Sequence, residues 1–200
     1  MVRIEKPYVF EGPSGKPDAL LDLFDGRRQL IVYHFMFDPS WSEGCKSCSF
    51  FADTFNGAIL HLRGRDTAFA AISRAPLEKL AAFQRRMGWS FPWYLLGRVR
   101  LQLRLPRDAS RPTTGRAGRT EYNYVVQEVS PSRRRPGRSI FLRDGDEVFH
   151  TYSTYARGLD HLIVTYNLLD PDAARRGTRR VCPTRCRGCA ITTGMRDGFR

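Results

Sequence analysis

The sequence predicts an α/β fold, with a central, mostly parallel sheet flanked by helices and a β-hairpin toward the C-terminus. Three observations carry this expectation. Residues 28–37, RQLIVYHFMF, are a continuous run of apolar, β-branched and aromatic residues, the pattern of a strand buried on both faces. Helical spacing follows, then the apolar stretch TAFAAIS at 67–73 and a second helical pattern, an alternation that produces parallel strands joined by helices. The stretch SIFLRDGDEVFHTYS at 139–153 reads as two strands joined through Asp-Gly, a strong short-range hairpin signal. At 200 residues and 23.0 kDa the chain is long enough for one core and too short for a second.

Taken in order, Tyr8-Val9-Phe10-Glu11 reads as a strand entering a Gly-Pro-Ser-Gly turn, and DALLDLF at 18–24 as one short helix. The run at 28–37 supplies the central strand. After the loop DPSWSEG, Phe51, Phe55, Ile59 and Leu62 recur at helical spacing, which predicts one helix beginning at the cysteine pair Cys45 and Cys48. Residues 67–73 form the next strand. Pro76 then opens a helix carrying Leu77, Leu80, Phe83 and Met87, which Gly88 stops. Beyond the hairpin, Leu159, Leu162, Ile163 and Tyr166 predict an amphipathic helix ended by Pro171.

The formal net charge of +13 is concentrated in two places. Residues 98–138 hold eleven Arg against Asp108, Glu121 and Glu128, and residues 171–200 hold eight Arg against Asp172 and Asp197. The rest of the chain is close to neutral, which argues against a nucleic-acid partner for the folded domain. Neither segment has the periodicity to bury much surface. The expected organisation is therefore a domain at 1–170, interrupted by an irregular Arg-rich segment at about 98–120, with a basic, disordered tail at 171–200. The first residues lack a long apolar stretch, and nothing approaches the length of a membrane helix. A cytoplasmic protein without a membrane partner is expected. Five cysteines are too few for a disulfide scaffold, and a reducing compartment is the default.

In that setting the spacing Cys45-Lys46-Ser47-Cys48 has three readings. A redox pair needs one thiol with a lowered pKa and a second near enough to resolve a mixed disulfide. A helix N-terminus favours the thiolate on the outer cysteine, so Cys45 would attack and Cys48 resolve, with Trp41 walling the site and Lys46 adding positive charge. A metal site would recruit Cys182, Cys186 and Cys189, but their C-x-x-x-C-x-x-C spacing lacks the usual zinc form. The third reading is two inert core thiols. The redox reading is preferred, with a thiol or disulfide as partner and neither cofactor nor metal. His34 and His61 read as structural histidines, Trp89, Phe91 and Trp93 as packing, and Asp144 and Asp146 as turn residues.

The strings LIVYHFMF, WSEGCKSCSFFADTFNGA, SRAPLEKLAAFQRRMGWSFPW, FLRDGDEVFHTYSTYARGLD and TYNLLD together resemble the bacterial thioredoxin-like family catalogued as domain of unknown function 899. The resemblance covers residues 3–94 and 121–170. It implies a thioredoxin-like fold with Cys45 and Cys48 at the active-site position, while the family's biochemical role is not established. A thioredoxin-type site sets a proline against the cysteines just before the hairpin. Pro136 is the nearest, with Gly137 and Arg138 expected between it and the strand. The family continues from GWSFPW into a stretch like Ser-Asp-Phe-Asn-Tyr-Asp-Phe. C-ending codons for Asp-Phe-Asn-Tyr-Asp-Phe, read one base early, encode Arg-Leu-Gln-Leu-Arg-Leu, the residues at 100–105. A one-base shift of the family's terminal motif likewise yields residues 181–192. The resemblance thus implies that both Arg-rich segments are out-of-frame readings, with Cys182, Cys186, Cys189 and the excess charge as by-products. The rival expectations are a basic module gripping nucleic acid through Arg98 to Arg138 and the tail, and a non-catalytic scaffold of the same fold.

Overall fold

The computed structural model describes residues 1–96, 119–122, 125–128 and 136–169. The Arg-rich stretch at 98–118 and the tail with Cys182, Cys186 and Cys189 lie outside the described residues. So do the expectations placed on them, the frame-shift reading included.

Ten strands and four α-helices are described. The chain opens with β1 (Val2–Arg3), β2 (Val9–Glu11) and β3 (Pro17–Ala19), followed by β4 (Gln29–His34). Two helices, α1 (Lys46–Ala52) and α2 (Phe55–Arg63), lead to β5 (Thr67–Ser73), and α3 (Leu77–Met87) leads to β6 (Trp93–Leu96). Strands β7 (Arg119–Tyr122) and β8 (Val125–Glu128) pair with each other in a second, two-stranded sheet. Last come β9 (Gly137–Asp144), β10 (Glu147–Tyr155), a 3-10 segment at Ala156–Leu162, and α4 (Val164–Leu169). The main sheet runs β1-β10-β9-β4-β5-β6-β2-β3.

That order corrects the expectation of a mostly parallel sheet. Only β4 with β5 and β5 with β6 are parallel, where α1–α2 and α3 supply the crossovers that parallel neighbours need. On one side β9 runs antiparallel to β4 and to β10, and β10 to β1; on the other, β2 runs antiparallel to β6 and to β3. The sheet is mixed because segments without crossover helices flank a parallel centre.

Three helices also differ from their expected form. The segment 18–24 splits into β3 and a 3-10 turn at Asp22–Phe24, because Leu20 N–H is taken by the Tyr8 carbonyl (3.2 Å) and Ala19 N–H by the Asp22 carboxylate (2.7 Å). A seven-residue helix is too short to outcompete such pairing. The helix expected through residues 46–62 breaks at Asp53–Thr54: the Thr54 hydroxyl donates to the Phe51 carbonyl (2.8 Å), and the Asp53 carboxylate accepts the Trp89 indole N–H (2.8 Å). The helix expected around Leu159 to Tyr166 is the 3-10 segment followed by α4, with Ile163 extended between them. Gly158 lies so close to β10 that a Cβ there would sit 2.0 Å from the Thr154 hydroxyl.

Alternation along β4 divides the core. Leu30 and Val32 join Tyr8, Phe10, Leu23, Phe24, Ile72 and Phe141 on one face. Tyr33, followed by Phe35 and Phe37 beyond the strand end, joins Phe51, Leu80, Phe83, Trp89, Phe91 and Trp93 on the other, beneath α1, α2 and α3. All seven residues of β5 are buried, as a central strand covered on both faces requires. Trp89, Phe91 and Trp93 are packing residues, and the Trp93 indole N–H donates to Ser73 Oγ (3.0 Å).

Candidate functional site

Strand β4 ends at His34, and eleven residues later the chain reaches Cys45, the N-cap of α1. Three cationic side chains, on α3 and just before it, fix the loop between them. Lys79 Nζ donates to the carbonyls of Pro39 (2.9 Å) and Trp41 (2.6 Å), Arg86 pairs with Glu43 (2.6 Å), and Arg74 with Asp38 (3.4 Å). Gly44 passes so close to the aromatic core that a Cβ would meet Phe35 at 2.8 Å and Phe83 at 3.0 Å, which explains the glycine before the first thiol. Cys45 N–H then donates to the Met36 carbonyl (3.0 Å), and the Cys45 carbonyl accepts Ser49 N–H (2.9 Å) and the Ser49 hydroxyl (3.0 Å).

The two thiols have different environments. Cys45 is partly exposed, whereas Cys48 is 1% exposed and packed in the aromatic cluster. The Cys48 thiol donates to Cys45 Sγ, and backbone N–H groups of Cys48 and Ser47 and the Ser47 hydroxyl add to it; together they outweigh burial and lower the Cys45 pKa from 9.0 to about 6. Burial pushes the Cys48 thiol well up, with its bond to the neighbouring thiolate acting in the same direction. Only the Met36 backbone N–H and the Tyr33 hydroxyl oppose that rise. The pair is therefore a thiolate next to a thiol that donates to it, an arrangement suited to nucleophilic attack by the outer sulfur.

Trp41 keeps an exposed side chain, and its carbonyl anchors the loop to Lys79. Lys46 is exposed at the first position of α1, and the groups that hold the Cys45 thiolate are backbone and thiol donors and Ser47. Ser47 and Tyr33 went unread in the sequence. A tyrosine inside a buried run must still find a hydrogen-bond partner, which is the signal that could have marked Tyr33. Pro136 directly precedes β9, which begins at Gly137 opposite His34, so no residues separate it from the strand. His34 faces away from the thiols, where its Nε2 bonds Ser139 Oγ (2.9 Å), and His61 is exposed on α2.

The architecture and the paired cysteines define a thioredoxin-like α/β protein with a dithiol at a helix start. Residues 1–196 match the bacterial protein family of unknown function DUF899, and the chain belongs to that family. No curated protein matches the sequence. Among solved structures, the chain is similar to the bacterioferritin comigratory protein of Xanthomonas campestris, described for its alkyl peroxide reduction activity, with a TM-score of 0.51 and 12% identity. That match covers 82% of this chain and 90% of the other, and it shows a shared fold. A PrxQ mutant from Xylella fastidiosa aligns with a TM-score of 0.48 and 15% identity over 84% of this chain and 90% of its own. No helix among the described residues is long and apolar enough to cross a membrane.

Proposed function

We propose that the protein is a thiol-disulfide oxidoreductase in which Cys45 is the nucleophile and Cys48 the resolving thiol. The observation that carries this reading is the placement of a partly exposed Cys45 as the N-cap of α1 with the buried Cys48 three residues on, an arrangement that lowers the Cys45 pKa. At neutral pH the outer sulfur is largely thiolate and open to a substrate; the inner sulfur stays protonated until needed. The thiolate attacks one sulfur of a substrate disulfide and expels the other half as a thiol. Cys48 then attacks Cys45 Sγ, closing the Cys45–Cys48 disulfide and releasing the second half. The substrate gains two electrons and the protein dithiol loses them.

The test is the pH dependence of alkylation at Cys45, with mass spectrometry to locate the adduct and to follow Cys45–Cys48 disulfide formation under mild oxidation. A midpoint near 6 with ready closure of the disulfide is the expected result. A midpoint at the ordinary cysteine value, or thiols that never couple, would overturn the reading. Alkyl peroxide, the substrate class named for the Xanthomonas campestris protein, is the comparison substrate. Turnover of peroxide without turnover of disulfides would replace the proposed chemistry with peroxide reduction.

A further inference from the structure

Two histidines and two serines on the face of the sheet away from the dithiol are brought into line by strand register. Val32 lies opposite Ser139 and Leu30 opposite Phe141, so alternation puts His34, Ser139 and Phe141 on the side of Leu30 and Val32. His150 lies opposite Phe141 and shares that side, with 5.5 Å between ring centroids. Ser153, three residues on, would point the other way in a regular strand. A register shift between His150 and Tyr152 inserts one residue there and brings Ser153 round to lie opposite Ser139. The Thr151 hydroxyl, at the shift, donates to the Ile140 carbonyl (3.0 Å).

The result is three contacts in a row: His34 Nε2 to Ser139 Oγ (2.9 Å), Ser139 Oγ to Ser153 Oγ (2.8 Å) and Ser153 Oγ to His150 Nε2 (2.8 Å). Each contact holds one hydrogen, and the two hydroxyls supply one apiece. The third must come from an imidazole. With both Nε2 atoms bare, one contact would set lone pair against lone pair. With both protonated, one hydroxyl hydrogen would lose its acceptor, and Ser139 is 0% exposed and cannot turn to solvent.

We infer that these four side chains form a one-proton relay: at neutral pH one imidazole donates into the chain and the other accepts from it, and protonating the accepting ring reverses all three bonds. On reversal that ring becomes the donor, both hydroxyls turn round, and the first ring offers a bare Nε2 and carries its proton on Nδ1. The net uptake is one proton, which ends on the accepting ring. Its charge state is thereby passed between β10 and β4, two strands apart, with the backbone pairing unchanged. Among the described residues, the charges around His150 are the terminal amine and Arg3 on β1 and Arg143 on β9. Arg3 is paired with Glu147 (2.8 Å), and Arg143 is held by the Gly145 carbonyl (2.7 Å) and Asp146 (4.0 Å). Beside His34, β5 sets Ile72 and β9 sets Gly137, neither of them charged.

The experiment uses the full chain with nitrogen-15 in its histidine rings, followed by long-range proton–nitrogen correlation from about pH 8 to about pH 5, the range in which imidazoles titrate. His61→Gln and His161→Gln variants assign the other two rings. At the upper pH, one ring of the pair should be protonated at Nε2 and the other at Nδ1. As the accepting ring takes up its proton, its partner should exchange Nε2–H for Nδ1–H with the same midpoint. Ser139→Ala, which cuts the chain in the middle, should abolish that exchange. Two rings in the same tautomer at the upper pH overturn the relay. So does a partner tautomer that holds through the titration in the parent, or one that still exchanges in Ser139→Ala.

Discussion

The two faces of β4 each bury an apolar cluster, and they differ in the polar groups set into it. On the helix-covered face, Tyr33 and the aromatic cluster surround Cys48 and leave Cys45 at the rim. On the other face, His34 begins a chain of hydrogen bonds across three strands: His34 Nε2 to Ser139 Oγ (2.9 Å), Ser139 Oγ to Ser153 Oγ (2.8 Å), and Ser153 Oγ to His150 Nε2 (2.8 Å). Both faces hold buried polar groups that are satisfied by partners. Of the two, the helix-covered face presents a partly exposed sulfur whose charged form is stabilised, and the proposed chemistry rests on that asymmetry and not on polarity.

The sharpest way to break this comparison is to remove the sulfur. Cys45→Ser should cut disulfide reduction by about a thousandfold or more, since a hydroxyl without an adjacent base is a poor nucleophile. Steady-state reduction of a chromogenic disulfide measures this, and residual turnover within tenfold of the parent would contradict it. Next in size are cavities on either face. Leu30→Ala and Leu80→Ala, each removing a side chain 0–1% exposed, should each cost about 2–5 kcal/mol in denaturant unfolding. Leu30→Ala is expected to leave the Cys45 alkylation midpoint in place, because its face touches no thiol donor.

Smaller again is the hydroxyl chain: Ser153→Ala leaves Ser139 and His150 short of a partner and should cost about 1–3 kcal/mol. Burial lowers the His150 pKa below 6.5, so its contribution to stability is present above 6.5 and is lost as pH falls through the folded value. Cys45 acts in a different window. Its folded pKa of about 6 lies below the ordinary 9.0, so the reduced protein should gain stability relative to Cys45→Ser as pH rises from 6 toward 9. Unfolding midpoints of both proteins at several pH values check the sign. The smallest change is Ser47→Ala, which removes the weakest donor to Cys45 and should raise its alkylation midpoint by about half a unit, a fraction of the effect of one hydrogen bond to a charged group.

Much of the centre was legible in the sequence because its patterns are long. Residues 67–73 read as a strand and are β5, and the helix opened by Pro76 and closed by Gly88 is α3, with Gly88 at φ 70. Placing the cysteine pair at a helix start needed only the spacing of the apolar residues that follow it. The sheet margins were harder. Strands β1, β2 and β3 are two or three residues long, too short to show a period, and their pairing depends on partners far along the chain. The break between α1 and α2 depends on Asp53 meeting Trp89, a contact between residues 36 apart. Within the site, Cys45 and Cys48 stood out by type, whereas Ser47 and Tyr33 matter only through what they touch.

The grip of Lys79, Arg74 and Arg86 on the loop before Cys45 gives the thiol a second use, as a gauge. Anything that frays α3 releases Pro39, Trp41 and Glu43, and the released loop can carry Cys45 away from the donors of α1. The sulfur then reverts to an ordinary thiol while the rest of the sheet is still intact. Pulsed alkylation at mildly acidic pH therefore reads the local opening of a helix that contains no cysteine.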